Sequence, residues 1–250
     1  MKNFMVANHN ESSKRYNWAA LKRLLKAQIE NSLDLGWRAN DVILIANFDF
    51  EYLKVKSLNV ALNEFCLTGS KLFGLKWYFD NYKVKDMIWA HDLDCWQNVW
   101  FDPPEFEGDI GASQYSNPKY NGGSIFWKPE AKDILGLVVE LITSKEAAKE
   151  EPLLNKVFKS KKYRDRISVL NYTYNVGCSG FRPRYRRSIK PIKVCHFHPK
   201  NSIAWELHAL DRAGIGEIAI TPRLEKLLRQ NFKGLANKLK KEILRNNENG

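Results

Sequence analysis

The 250-residue chain carries 40 Lys and Arg against 28 Asp and Glu, with 44% hydrophobic and 12% aromatic residues, a composition that fills a core and excludes disorder as the main state. No apolar run approaches the roughly 20 residues a membrane span needs, so no transmembrane helix is expected. Residues 1–10 hold one lysine and an apolar stretch too short for a signal-peptide core, and the expected location is the cytoplasm.

In chain order, residues 4–7 read as a first strand. Residues 16–33 read as a helix with Leu21, Leu24, Leu25 and Ile29 on one face, ending near Gly36. The run 42–48, apolar except at Asn47, predicts a buried strand. A helix is expected over 72–82 and a strand over 86–90 that stops abruptly in His91-Asp92-Leu93-Asp94. Short strands follow at 108–113 and 124–127, then a helix over 129–143 with proline at its start. The stretch 143–151 is the only linker candidate, and it is short. A helix at 152–158 and strand-like segments at 169–176 and 192–198 complete the pattern. Strands alternating with helices predict an α/β domain with a largely parallel or mixed sheet.

The four cysteines, Cys66, Cys95, Cys178 and Cys195, form no CxxC pair, so reduced and mostly buried thiols are expected. The net charge of +12 is unevenly spread: residues 1–150 sum to −2, residues 151–200 to +11 and residues 201–250 to +3. The middle block holds Lys156, Lys159, Lys161, Lys162, Arg164, Arg166, Arg182, Arg184, Arg186 and Arg187, interleaved with Tyr163, Tyr172, Tyr174, Phe181 and Tyr185. Such a block either grips phosphate and stacks on bases or forms a solvated basic face over core aromatics. Residues 222–250 place Leu224, Leu227, Leu228, Phe232, Leu235, Leu239 and Ile243 at helical spacing among lysines and arginines. This basic amphipathic helix packs on the domain or lies peripherally on an anionic membrane.

Ligands of open α/β sheets bind outside the carboxyl ends of the strands. Asp92 and Asp94 fall at such an end, where two carboxylates one residue apart can hold one Mg²⁺ or Mn²⁺; capping of a following helix is the alternative. If 192–198 is a strand, its period of two puts Ile192, Val194, His196 and His198 on one side, where the imidazoles either join two carboxylates on Mn²⁺ or form a half-buried pair making ordinary hydrogen bonds. Gly122 and Gly123 read either as room for a ligand or as a turn between Tyr120 and Ser124.

Read together, these segments resemble the metal-dependent nucleotide-sugar glycosyltransferases of the GT-A fold, particularly the glycogenin-like and lipooligosaccharide galactosyltransferase group. The resemblance runs in order through Val6-Ala7-Asn8, Trp89-Ala90-His91-Asp92-Leu93-Asp94, Tyr120-Asn121-Gly122-Gly123-Ser124-Ile125-Phe126, Glu150-Glu151-Pro152-Leu153-Leu154-Asn155 and Val194-Cys195-His196-Phe197-His198. It implies a GT-A catalytic domain over 1–221, with a Rossmann-like mixed sheet flanked by helices and the basic helix 222–250 after it. It further implies a Mn²⁺ or Mg²⁺ on Asp92, Asp94 and His196 and a nucleotide-sugar donor, a UDP-sugar foremost. Ala7 and Asn8 would border the nucleoside, and Asn121, Gly122 and Gly123 the sugar. Glu150 or Glu151 would act beside the transferred sugar, with Lys200 or one of the arginines 182–187 on the leaving phosphate. The acidic doublet is Glu-Glu where the relatives usually show Asp-Gln, and no Lys-Pro-Trp follows His196.

The C-terminal half of such a fold faces the acceptor, and here it holds the +11 block. A polyanionic acceptor follows: hydroxymethylated DNA of a modified viral genome, slightly favoured, or a lipopolysaccharide or other surface glycan at an anionic membrane. Two readings from other classes remain. One is a two-metal phosphohydrolase or nuclease using His91, Asp92, Asp94, His196 and His198; the other is a nucleic-acid-binding module without catalysis.

Overall fold

The computed structural model describes residues 1–10, 18–62, 66–116, 118–144, 149–177, 184 and 186–196. The elements in chain order are β1 (Lys2–Ala7), α1 (Trp18–Asp34), β2 (Val42–Ala46), β3 (Glu51–Tyr52), β4 (Val55–Asn59), α2 (Ser70–Asn81), β5 (Ile88–His91), β6 (Cys95–Gln97), β7 (Ile110–Ser116), β8 (Lys119–Trp127), α3 (Lys132–Ser144), α4 (Glu151–Phe158), β9 (Ile167–Val169), β10 (Val176–Gly177) and β11 (Val194–His196). The segment 222–250 lies outside the described residues.

The sequence pattern explains the centre of the molecule. The run Val-Ile-Leu-Ile-Ala of β2 and the Ile-Trp-Ala-His of β5 are buried throughout, as parallel strands covered on both faces must be. An eight-stranded mixed sheet runs β3-β4-β2-β1-β5-β8-β7-β9. β1 pairs in parallel with β2 and β5, whereas β8 is antiparallel to β5. On one face α2, α3 and α4 bury Leu72, Leu75, Phe79, Ile134, Val138 and Phe158. On the other, α1 buries Leu21, Leu25 and Ile29 beside Trp89, Phe126 and Val194. Each such side chain contributes about 1.5–3 kcal/mol when fully withdrawn from water. The mixed α/β class, the first helix and its end at Gly36, in the left-handed region at φ +103°, match expectation.

Other features depart from it. The 169–176 stretch is not one strand: β9 stops at Val169, and Asn171 accepts a hydrogen bond on Oδ1 from the Thr173 amide at 3.0 Å, turning the chain through a 3-10 turn over Tyr172–Tyr174. The glycines of 120–124 are no turn, because β8 continues through them, bulging away from β7 between Ile125 and Tyr120. The hairpin of β3 and β4 carried no turn residue to announce it, since Leu53 and Lys54 occupy its tip at φ 48° and 66°. Two-residue hairpin turns with positive φ favour Asn-Gly. Replacing Leu53 by Asn and Lys54 by Gly is expected to raise stability by about 1 kcal/mol, because left-handed conformations cost ordinary residues on that order. A lower denaturation midpoint would contradict this.

Candidate functional site

The parallel strands β1 and β5 end on the same side of the sheet, and antiparallel β8 begins there. A cleft of about 350 Å³ opens at that edge. Its floor is the start of β8. Asn121 Oδ1 accepts from the Gly123 amide at 2.6 Å, and the Gly122 amide donates to Glu151 Oε2 at 3.4 Å. The Gly123 carbonyl accepts from the Asp92 amide at 2.8 Å and from the Cys95 thiol at 2.9 Å. Asn155 of α4 clamps the preceding residue from both sides, accepting from the Tyr120 amide at 2.7 Å and donating to its carbonyl at 2.9 Å. The helix that presents Glu150 and Glu151 is thereby tied to the strand that presents Asn121, Gly122 and Gly123.

After β5 the chain turns, with the Cys95 amide donating to the Asp92 carbonyl at 2.9 Å, and enters β6. No helix follows for these aspartates to cap. β6 pairs antiparallel with β11 in a register that sets His196 directly opposite Cys95. His196 Nε2 thus comes within 3.3 Å of Asp94 Oδ1 and 3.8 Å of Asp92 Oδ2. Residues 102 positions apart in sequence form one cluster of two carboxylates and an imidazole. By donor chemistry that set suits a hard divalent cation, which these three side chains would hold once Asp92 closes in, since the trio whose ligand atoms already lie within 4.8 Å of one another is Asp94, Cys95 and His196.

One member of the site had no signal in the sequence. Lys71, the second residue of α2, is 6% exposed, and its ammonium donates to Asp92 Oδ1 at 2.6 Å and to the Gly122 carbonyl. The close seating of α2 explains this reach: a Cβ on Gly74 would come within 2.9 Å of Val6 Cγ2 and 3.2 Å of Ile45 Cγ2, so only glycine lets the helix press onto β1 and β2. The Asp92 charge raises the Lys71 pKa against the opposing effect of burial. A lone lysine at a helix start looks like any surface lysine until the fold buries it.

Burial shifts the other groups. The Glu150 carboxyl is raised from the ordinary carboxylate value, chiefly by burial and further by Asp92, although Thr68 and Lys71 pull the other way. The Cys95 thiol is pushed up to about 11 by burial. His91 is lowered to about 4 by burial; its Nδ1 faces the Asp92 carbonyl and its Nε2 faces Asn3 Oδ1, each at 2.9 Å, and its ring stacks on Trp89. His91 is thus a neutral support for the Asp92 backbone.

Of the residues singled out from sequence, the cleft gathers Asn8, Asp92, Asp94, Asn121, Gly122, Gly123, Glu150, Glu151 and His196. Asn8 donates to Ser70 Oγ at 2.7 Å. Ala7 is 1% exposed in the core, and its neighbour Val6 lines the cleft instead. Lys200, His198 and Arg182 lie outside the described residues.

The basic block divides. Lys159, Lys161, Lys162 and Arg164 are exposed between α4 and β9. β9 begins at Ile167, opposite Ile110 and thus level with Trp127, the end of β8 remote from Gly123. These cations stand at the end of the sheet away from the cleft. Arg166 is committed to Asp109 at 2.5 Å and to Asp133 at 2.7 Å. Lys156 is exposed along α4, Arg184 is buried, and Arg186 and Arg187 are exposed beside Asn171, which donates to the Arg187 carbonyl at 3.3 Å. The described residues therefore form no continuous basic face over 156–187. Among them, no helix is long and apolar enough to cross a membrane.

No protein-family model and no curated protein matches the chain. Solved structures do. A glycosyltransferase involved in the glycosylation of the major capsid of PBCV-1 superposes with a TM-score of 0.52 at 12% identity, over 78% of this chain and 93% of that one. The galactosyltransferase LgtC, in complex with donor and acceptor sugar analogues, gives 0.53 at 13% identity over 91% and 100%. The glycosyltransferase GlyE of Streptococcus pneumoniae TIGR4 gives 0.56 at 11% identity, over 98% of this chain and 64% of its own. The fold is that of the GT-A glycosyltransferases.

Proposed function

We propose that the chain is a glycosyltransferase that moves a sugar from a nucleotide-diphosphate sugar to an acceptor hydroxyl, with Mn²⁺ or Mg²⁺ held by Asp92, Asp94 and His196. The supporting observation is the convergence of these three with Asn121, Gly122, Gly123, Glu150 and Glu151 in one cleft, at the carboxyl ends of strands in a GT-A sheet. When bound, such a cation neutralises the charge on a departing diphosphate.

The chain's own residues divide the remaining work. Lys71 anchors one oxygen of Asp92, which turns the other towards His196. Gly122 and Gly123 keep the floor low where the sugar must lie, and Val6 and Asn8 border the nucleoside end. Glu150 lines the cleft with its Oε1 nearest the position a Cβ on Gly122 would take, which puts its carboxyl beside the floor where a sugar hydroxyl would lie. Glu151 stands at the cleft edge, 3.8 Å from Lys119, with its side chain 25% exposed; we assign it to the acceptor side, as base or as stabiliser of positive charge at the sugar carbon.

For the acceptor we favour a glycan hydroxyl. The cations that suggested nucleic acid are split between the two ends of the sheet, so a duplex reaching the cleft would leave Lys159 to Arg164 unused. LgtC was captured with an acceptor sugar analogue, which supports the same choice. A hydroxymethylated-DNA acceptor is retained as the alternative the test must distinguish. The two-metal hydrolase reading loses His91, whose ring nitrogens both face internal oxygens.

A thermal-shift panel of sugar nucleotides with and without Mn²⁺ tests the proposal, since a ligand bound only by the native state raises the melting point. One donor is expected to shift it only when the cation is present. Cleavage of phosphodiesters with no shift from any sugar nucleotide would refute the reading, and transfer to hydroxymethylated DNA but not to glycan would reverse the choice of acceptor.

A further inference from the structure

The candidate cation centre contains a thiol that the glycosyl-transfer reading does not use. Cys95 follows Asp94 directly, is fully buried and sits opposite His196 in the β6–β11 register. The ligating atoms of Asp94, Cys95 and His196 all lie within 4.8 Å of one another. Some point therefore lies within about 2.8 Å of every one of the three, a small adjustment from the roughly 2.0–2.3 Å of zinc–ligand bonds. One carboxylate, one imidazole and one sulfur are a donor set that tetrahedral zinc accepts, with the fourth position left for water.

Hard cations select oxygen, with Mn²⁺ accepting an imidazole among its carboxylates, whereas thiolate selects zinc and its softer relatives. The side chains thus form two overlapping sets: Asp92, Asp94 and His196 for Mn²⁺ or Mg²⁺, and Asp94, Cys95 and His196 for a thiophilic ion. Two ligands are shared, so one cation excludes the other. Asp92 can be spared from the second set, since Lys71 already satisfies its Oδ1.

We propose that the centre has a second binding mode, in which Asp94, Cys95 and His196 capture a thiophilic divalent cation of the zinc class and thereby displace the hard cation. The inference rests on the reading above in one respect, that Asp94 and His196 belong to a cation site. Capture forms a sulfur–metal bond and breaks the S–H bond. The proton leaves to solvent, the hydrogen bond from Cys95 to the Gly123 carbonyl is given up, and no electron is transferred.

The test uses the chelator-stripped full chain and two probes, Cd²⁺ and Mn²⁺. Cd²⁺ is expected to produce the ultraviolet sulfur-to-metal charge-transfer band in the wild type and in Cys195→Ser, but not in Cys95→Ser. Stoichiometric Zn²⁺ is expected to release bound Mn²⁺, seen as the return of the free-ion paramagnetic resonance signal. X-ray absorption of the zinc-loaded wild type, which needs no variant to fold, is expected to show one sulfur at about 2.3 Å. A band that persists in Cys95→Ser, or a zinc shell without sulfur, overturns the proposal. If Mn²⁺ binds while Cd²⁺ gives no band, this inference fails and the hard-cation site stands; if neither ion binds, both fail.

Discussion

Alanine at Gly123 is expected to abolish tight Mn²⁺ binding, with a loss of 100-fold or more, while leaving the sheet folded. A Cβ at this position would overlap the His196 ring at Cε1 and Nδ1 and crowd Asn121 Oδ1 at 3.0 Å. β8 is pinned around this position by the Asp92 amide and the Cys95 thiol on the Gly123 carbonyl and by Asn155 on Tyr120. β11 belongs to a three-stranded sheet of short strands, so it is His196 that must leave. Losing one of three ligands and misplacing its strand removes the chelate. Gly122→Ala provides the control, because its Cβ would meet only Glu150 Oε1, at 3.7 Å. Titration of free Mn²⁺ by paramagnetic resonance reads both variants, with circular dichroism to verify the fold. Equal affinities for Gly123→Ala and the wild type would mean that His196 is not a ligand.

The second large effect has two opposite signs. Lys71→Met removes a buried ammonium held 2.6 Å from one of the proposed ligands. Like charges a few ångströms apart repel by about 4 kcal/mol even at the effective dielectric of a protein surface. Loss of the ammonium is therefore expected to tighten binding of bare Mn²⁺ about tenfold or more. Donor binding should move the other way, because a diphosphate sugar loses one of the cations around it and Asp92 loses its anchor. Folding stability should change little: the Lys71 ammonium no longer has to be desolvated, and the Asp92 side chain, 34% exposed, can be rehydrated. Calorimetry of Mn²⁺ alone and of sugar nucleotide in saturating Mn²⁺ separates the two effects. Weaker binding of both would show that Lys71 acts only as scaffold.

These contrasts mark what sequence can carry. β1, β2 and β5 were legible because strands buried on both faces read as continuous apolar runs, and the Asp92–Asp94 turn was legible because a polar break follows such a run. α1 could be read because Leu21, Leu25 and Ile29 repeat at helical spacing. His196 was found through its period-two neighbours, although its partner strand β6 was not anticipated: three residues, Cys-Trp-Gln, carry no pattern. Lys71 was invisible because its burial depends on Gly74, Val6 and Ile45 meeting in space. The basic block misled for the same reason: contiguity in sequence runs across β9, with Lys159 to Arg164 before the strand and Arg186 and Arg187 beside Asn171 after it.

The central claim is that Asp92, Asp94 and His196 jointly hold a cation that carries a sugar-bearing diphosphate. Crystals grown with Mn²⁺ and the nucleotide sugar that raises the melting point test it most directly, through the anomalous scattering of manganese. One strong peak is expected among these three side chains, with the diphosphate oxygens beside it. A peak elsewhere, or a diphosphate bound away from these residues, would contradict it.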